Sequence, residues 1–132
     1  MIEQQIKRHE QAIGKTILVV DDELKILEVV PLMLKKFGYN VIIAKNGVEA
    51  IKLFERIKPD LVLLDIRMPV LDGCMAYSCI KDIDPNAKIV FMTAYATDTC
   101  VREILARQNT TLLEKPFDSS TMKNIIEQHL SV

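Results

Sequence analysis

Five side chains with useful chemistry fall at comparable places along the chain. Asp21 and Asp22 follow the apolar run Thr16–Val20, Asp65 follows Leu61–Leu64, Thr93 follows Ile89–Met92, and Lys115 comes just after Thr110–Leu113. Three carboxylates gathered in one place repel one another. At roughly 4–5 Å and an effective dielectric of about 20, each ionised pair costs on the order of 3–4 kcal/mol. One lysine cannot neutralise three acids, so protons or a cation must make up the difference. An all-oxygen donor set of this kind suits Mg²⁺ or Mn²⁺. A carboxylate, a divalent ion, a lysine and a hydroxyl are also the parts needed to accept a phosphoryl group, a reaction governed by positioning and charge neutralisation.

Each residue read alone has a plainer explanation. Asp22 would equally cap a helix starting at Leu24. Asp65 could solubilise a loop, Asp72-Gly73 could be a simple turn, and Thr93 could merely end a strand. Lys115-Pro116 could mark a constrained bend, with a cis peptide bond. The case for a site rests on all five falling at the same end of successive strands.

The elements that would place them there read clearly. The runs Thr16–Val20, Val41–Ala44, Leu61–Leu64 and Ile89–Met92 are nearly continuous in apolar character, as strands buried on both faces require; Thr110–Leu113 is more polar, as suits a sheet edge. Helical spacing follows each run. Leu24–Phe37 stops at Gly38, Val48 to Ile57 follows Asn46-Gly47, and residues 74–82 and 98–107 come next. The last helix follows Asp118-Ser119-Ser120, any of which could cap it. Pro31 should bend the first helix near Leu27. Strand–helix alternation five times over gives an α/β fold, a doubly wound five-stranded parallel sheet with helices on both faces. With strand order 2-1-3-4-5, the ends of strands one, three, four and five are neighbours, and the active crevice lies beyond them.

Composition narrows the classes. The chain has 132 residues, 49% hydrophobic and 27% charged, which fits one globular domain. We read residues 1–14 as an N-terminal extension, frayed or helical or else a partner-binding helix, and 15–132 as the domain, with nothing left for an effector. Lys and Arg number 17 against 18 Asp and Glu, so a surface built for nucleic acid is not expected. No apolar run reaches the roughly 18–20 residues of a membrane span, and no leader is evident, so we expect a cytoplasmic protein. Cys74, Cys79 and Cys100 are odd in number and lack CxxC spacing, so free thiols in a reducing cytosol are expected rather than a disulfide or zinc site. His9 and His129 read as surface residues.

The sequence resembles the receiver domain of response regulators in two-component signalling, a CheY-like fold. The stretches that carry the resemblance are ILVVDDE (17–23), NGVEA (46–50), PDLVLLDIRMPVLDG (59–73), IVFMTAYA (89–96) and LLEKPF (112–117). The resemblance implies a Mg²⁺-dependent switch (or Mn²⁺), phosphorylated on aspartate by a histidine kinase or histidine phosphotransferase. By position, Asp65 looks like the phosphoacceptor. Asp22 would ligate the metal directly, Asp21 largely through water, and the Arg67 backbone carbonyl would complete the protein's share. Thr93, Ala94 and Lys115 would bind the phosphoryl group.

The chain departs from the family pattern at particular positions. Leu112 stands where an aromatic ring usually turns inward, so readout would lean on the loop after Thr93. Gln108 replaces a small residue, which shifts the bend before strand five toward Asn109. Arg67 and Tyr95 should flank the phosphoryl group and hinder water, lengthening its lifetime. Arg67 also stands where Mg²⁺-dependent aspartyl phosphatases usually carry a second acid. With no cap domain either, we expect a switch rather than a turnover enzyme. A downstream protein would bind residues 98–107, 110–115 and 119–130, where Arg102, Glu103 and Arg107 could select it, and the chain would act as a monomer or weak dimer.

Overall fold

The computed structural model describes residues 2–4, 14–94, 97–107 and 110–130, and the side chains of all these except Arg107. The expectations for residues 5–13, for Tyr95 and for Gln108 and Asn109 lie outside the described residues. Five strands, β1 (Thr16–Val20), β2 (Asn40–Ala44), β3 (Leu61–Asp65), β4 (Ile89–Thr93) and β5 (Thr111–Glu114), make one sheet. Every pair is parallel and the order is 2-1-3-4-5. The helices are α1 (Leu24–Lys36), α2 (Gly47–Ile57), α3 (Gly73–Ile83), α4 (Thr99–Arg107) and α5 (Ser119–Leu130).

Successive strand residues point to opposite faces, so each central strand feeds two cores. Leu18, Val20, Val62, Leu64 and Phe91 pack with Phe54 of α2, Ile80 of α3, and Val101 and Ile104 of α4. Ile17, Val19, Leu63, Val90 and Met92 pack on the other face, with Leu27 and Leu34 of α1 and Met122 and Ile126 of α5. The alternating sequence is thus resolved as three layers.

Caps settle where the helices begin. The Asn46 side chain accepts from the Glu49 N–H at 2.9 Å, and the Glu49 carboxylate accepts from the Lys45 N–H at 3.2 Å, a reciprocal cap that turns Asn46-Gly47 into a helix start. Asp118 is the capping residue of α5, accepting from the Thr121 N–H at 2.7 Å. At α1 the N-cap position falls to Glu23, which makes no side-chain cap. Just before the helix, the Asp21 carboxylate accepts the Glu23 N–H at 2.9 Å, a turn that leads the chain into α1 without capping it. Asp22 is therefore not the cap. Pro31 is buried inside α1, which runs on to Lys36.

Two expectations fail. β2 is not buried on both faces, and Ile43 is 43% exposed. Its apolar run is that of an edge strand beside β1, a place that residue types alone did not distinguish from the centre. Nor are all the cysteines free. Cys74 and Cys100 form a disulfide with Cα atoms 6.4 Å apart, while Cys79 stays a thiol. The two lie 26 positions apart in sequence, and only the side-by-side starts of α3 and α4 bring them together.

Gly73 links this framework to the site. Its N–H donates to the Ile66 carbonyl at 2.7 Å, and a Cβ there would meet the Asp65 carbonyl oxygen and stand 2.7 Å from the Ile66 Cα. These are backbone atoms that cannot swing aside. Gly73→Ala should therefore lower stability by about 1–3 kcal/mol or more, as overpacking does. A urea midpoint equal to that of the wild type would show that the close approach is not real.

Candidate functional site

The parallel register carries the chemistry to one level. Val20 is paired with Leu64, Asp65 with Met92, and Thr93 with Glu114. Asp21 follows Val20 directly, and Lys115 follows Glu114. A backbone hydrogen bond from the Lys115 N–H to the Thr93 carbonyl, 2.8 Å, continues the ladder past β5. The Lys115–Pro116 peptide is cis.

These ends border a cavity of about 250 Å³ lined by Asp21, Asp22, Glu23, Asp65, Arg67, Ala94 and Lys115. The structure thus brings together six of the eight residues singled out from the sequence. Thr93 is fully buried at the end of β4, next to Ala94 in the chain. Leu112 stands apart within β5, half-buried against the core that holds Phe91, Val101 and Ile104.

Lys115 is the hub. Its ammonium donates to Asp21 Oδ2 at 2.6 Å and to Asp65 Oδ1 at 3.5 Å. Asp65 Oδ1 also accepts the Ile66 N–H at 2.9 Å, which fixes the carboxylate against its own strand. Asp21 is fully buried and Asp65 nearly so, whereas Asp22 is exposed at the rim. Carboxylate oxygens of all three acids lie within 4.8 Å of one another.

Electrostatics reflect that crowding. Burial, then the charge of Asp21, push the Asp65 carboxyl from 3.8 up to about 7, against the opposing pull of Lys115 and the Ile66 N–H. Burial pulls the Lys115 ammonium down, but the Asp21 hydrogen bond and the charges of Asp65 and Asp21 outweigh it, and its pKa ends above the ordinary value. The acids lining the cavity, the three aspartates and Glu23, outnumber Lys115 and Arg67. The three acids offer hard oxygen donors at a spacing a small divalent ion can bridge, so the residues present fit Mg²⁺ or Mn²⁺.

The loop leaving Asp65 adds two features that the sequence reading passed over. The Pro69 carbonyl accepts the Leu71 N–H at 2.8 Å, and Val70 between them has φ +70°, a tight three-residue turn. Asp72 then caps α3, accepting the Met75 N–H at 2.9 Å, so Asp72-Gly73 is a helix start and a close approach to Asp65, not only a turn. The Asp-Gly pair was visible in the sequence. Its contact with the strand end was not.

A family model for the response regulator receiver domain matches residues 17–127. The chain belongs to that family. Sporulation initiation phosphotransferase F of Bacillus subtilis is 32% identical over 117 residues, which cover 89% of this chain and 94% of that protein. Chemotaxis protein CheY of Thermotoga maritima is 37% identical over 108 residues, covering 81% and 90%. Among solved structures, the receiver domain of a sensor histidine kinase from Pseudomonas aeruginosa superposes with a TM-score of 0.81 at 32% identity, covering 90% of this chain and 99% of that one. That structure has a magnesium ion coordinated in its active-site cleft.

In this receiver the elevated Asp65 pKa has a signed consequence. The folded state holds the Asp65 proton more tightly than the unfolded state, so stability falls as pH rises from 3.8 to about 7 and then levels off. Asp65→Asn removes that contribution. In chelator, denaturant midpoints taken at about pH 5 and about pH 8 should show the variant gaining on the wild type at the higher pH. Parallel midpoints at both values would contradict the crowding.

Proposed function

We propose that this receiver is a phosphorylation switch: Asp65 takes a phosphoryl group from a histidine kinase or histidine phosphotransferase, and the modified chain binds a downstream protein. The observation that carries this reading is the meeting of Asp21, Asp22 and Asp65 with Lys115 in one small cavity. Relatives that are themselves a phosphotransferase and a chemotaxis receiver support it.

In the transfer, an Asp65 oxygen forms the new O–P bond as the N–P bond of the donor's phosphohistidine breaks. The imidazole nitrogen keeps the electron pair and is protonated by solvent. Asp22, Asp65 and the Arg67 carbonyl would hold the divalent ion, Asp21 largely through water, and when bound it would supply positive charge that offsets the phosphoryl group's negative charge. The Lys115 ammonium turns from the Asp65 carboxylate to the phosphate that replaces its charge. The Thr93 hydroxyl and the chain at Ala94 donate to the remaining phosphoryl oxygens. Arg67, beside the cavity mouth, screens the acyl phosphate from water.

The target-binding surface in this reading is α4, β5 and α5, adjacent to Thr93 and Lys115. Arg102 and Glu103 are exposed on α4. Among the described residues, no helix is long and apolar enough to cross a membrane, and we place the chain in the cytoplasm with its kinase. We further propose that it is not a turnover enzyme, because Arg67 lines the cavity where a proton donor for a leaving group would be needed.

Acetyl phosphate with Mg²⁺ tests the reading. We expect one phosphoryl group per chain, acid-stable and lost in mild base, and none on Asp65→Asn. Undiminished labelling of that variant would move the acceptor elsewhere, and sustained hydrolysis of a generic phosphate ester would make the chain an enzyme.

A further inference from the structure

Cys74 is the second residue of α3 and Cys100 the second residue of α4. Followed back along the chain, each leads to a strand end of the site. Residues 66–73 join Cys74 to Asp65, and residues 94–99 join Cys100 to Thr93. At the strand ends the two paths are held together by the β3–β4 ladder, in which Asp65 is paired with Met92. At the far end they are held by the disulfide, with Cα atoms 6.4 Å apart. The two connections leaving the acidic cavity therefore form the two arms of a closed ring. Arg67 lies on one arm and Ala94 on the other, and both line that cavity.

The bridge borders a cavity. A second cavity of about 530 Å³ is lined by both half-cystines together with Ile66, Arg67, Met68, Asp72 and Asp98. Cys74 and Cys100 are each half-buried, and Arg67 borders both cavities. The bridge thus sits within reach of a small thiol or disulfide, one residue away from the phosphate-facing pocket.

We infer that Cys74 and Cys100 form a reversible thiol–disulfide site that regulates phosphoryl acceptance by fastening or releasing the two arms; this rests on the acceptor role proposed for Asp65. Inside a reducing compartment a disulfide that forms at all is of the transient, redox-sensing kind. The oxidant is a low-molecular-weight disulfide such as glutathione disulfide. One cysteine thiolate attacks one of its sulfurs and expels a glutathione thiolate, leaving a mixed disulfide. The second cysteine thiolate attacks the protein-side sulfur, closes the 74–100 bond and expels the second glutathione thiolate. The two protons given up by the protein thiols end on the two glutathione thiols, so two electrons pass from the protein to the oxidant. In the oxidised chain the starts of α3 and α4 are tied to each other, so the two helix starts cannot shift apart as the cavity takes up a phosphate. The oxidised chain is the slower acceptor.

The full chain is equilibrated with glutathione disulfide or with dithiothreitol, its thiols counted by alkylation and mass, and its labelling by acetyl phosphate with Mg²⁺ followed in time. We expect one alkylatable thiol, Cys79, after oxidation and three after reduction, with labelling at least about fivefold slower in the oxidised form. Cys74→Ser and Cys100→Ser should label at the reduced rate under both conditions. Three alkylatable thiols in the oxidising buffer, or equal labelling rates in the two forms of the wild type, would overturn the inference. Should neither form be labelled, the acceptor reading fails on its own. Amide hydrogen exchange in residues 66–74 and 97–101 then decides the ring separately: slower exchange on oxidation upholds it, and equal exchange overturns it.

Discussion

The structure turns on an unfavourable interaction held in place: the mutual repulsion of Asp21, Asp22 and Asp65, only partly relieved by Lys115. The ammonium lies 2.6 Å from Asp21 and 3.5 Å from Asp65, so it is committed chiefly to the more buried acid. Asp65 is left buried beside a negative neighbour, and burial first, then the charge of Asp21, raise its carboxyl pKa to about 7. A carboxylate in this position gains from any added positive charge. In the switch we propose, that added charge would let an incoming phosphate meet a neutralised pocket rather than three bare acids.

Holding such a cluster together requires a scaffold that does not relax, and the doubly wound sheet provides one. The residues leading to each site position, Val20, Leu64, Met92 and Leu113, are essentially inaccessible and packed into one or other core. A parallel sheet places the carboxyl ends of its strands at one edge, so acids far apart in sequence are fixed at one level by backbone register. Gly73 completes the support from outside, resting the start of α3 directly on the Asp65 and Ile66 backbone. The central strands are held by burial on both faces.

Much of this was legible in the residues. Apolar runs ending in acid, hydroxyl or lysine give both the parallel sheet and the site, because a strand buried on both faces tolerates a polar group only where it leaves the core. The common doubly wound order 2-1-3-4-5, taken as a premise, brings those ends together, and the sheet has that order. What was not legible depends on neighbours in space. The run Val41–Ala44 looks like a central strand by composition, yet β2 has β1 on one side alone. Asp22 looks like a helix cap, yet the N-cap position falls to Glu23 and Asp22 stands at the cavity rim. Cys74 and Cys100 follow no recognised spacing, and their pairing arises from the parallel starts of two helices on the same face of the sheet.

Uptake of a divalent ion measures the central interaction most directly, because the repulsion among the acids is what an added cation relieves. Calorimetric titration of the intact chain with Mg²⁺ at mildly alkaline pH should show one ion bound per chain with millimolar affinity or tighter, and the binding heat should vanish in Asp65→Asn. Absence of saturable heat across the millimolar range, or undiminished binding by that variant, would mean that the three carboxylates are neighbours without being a site.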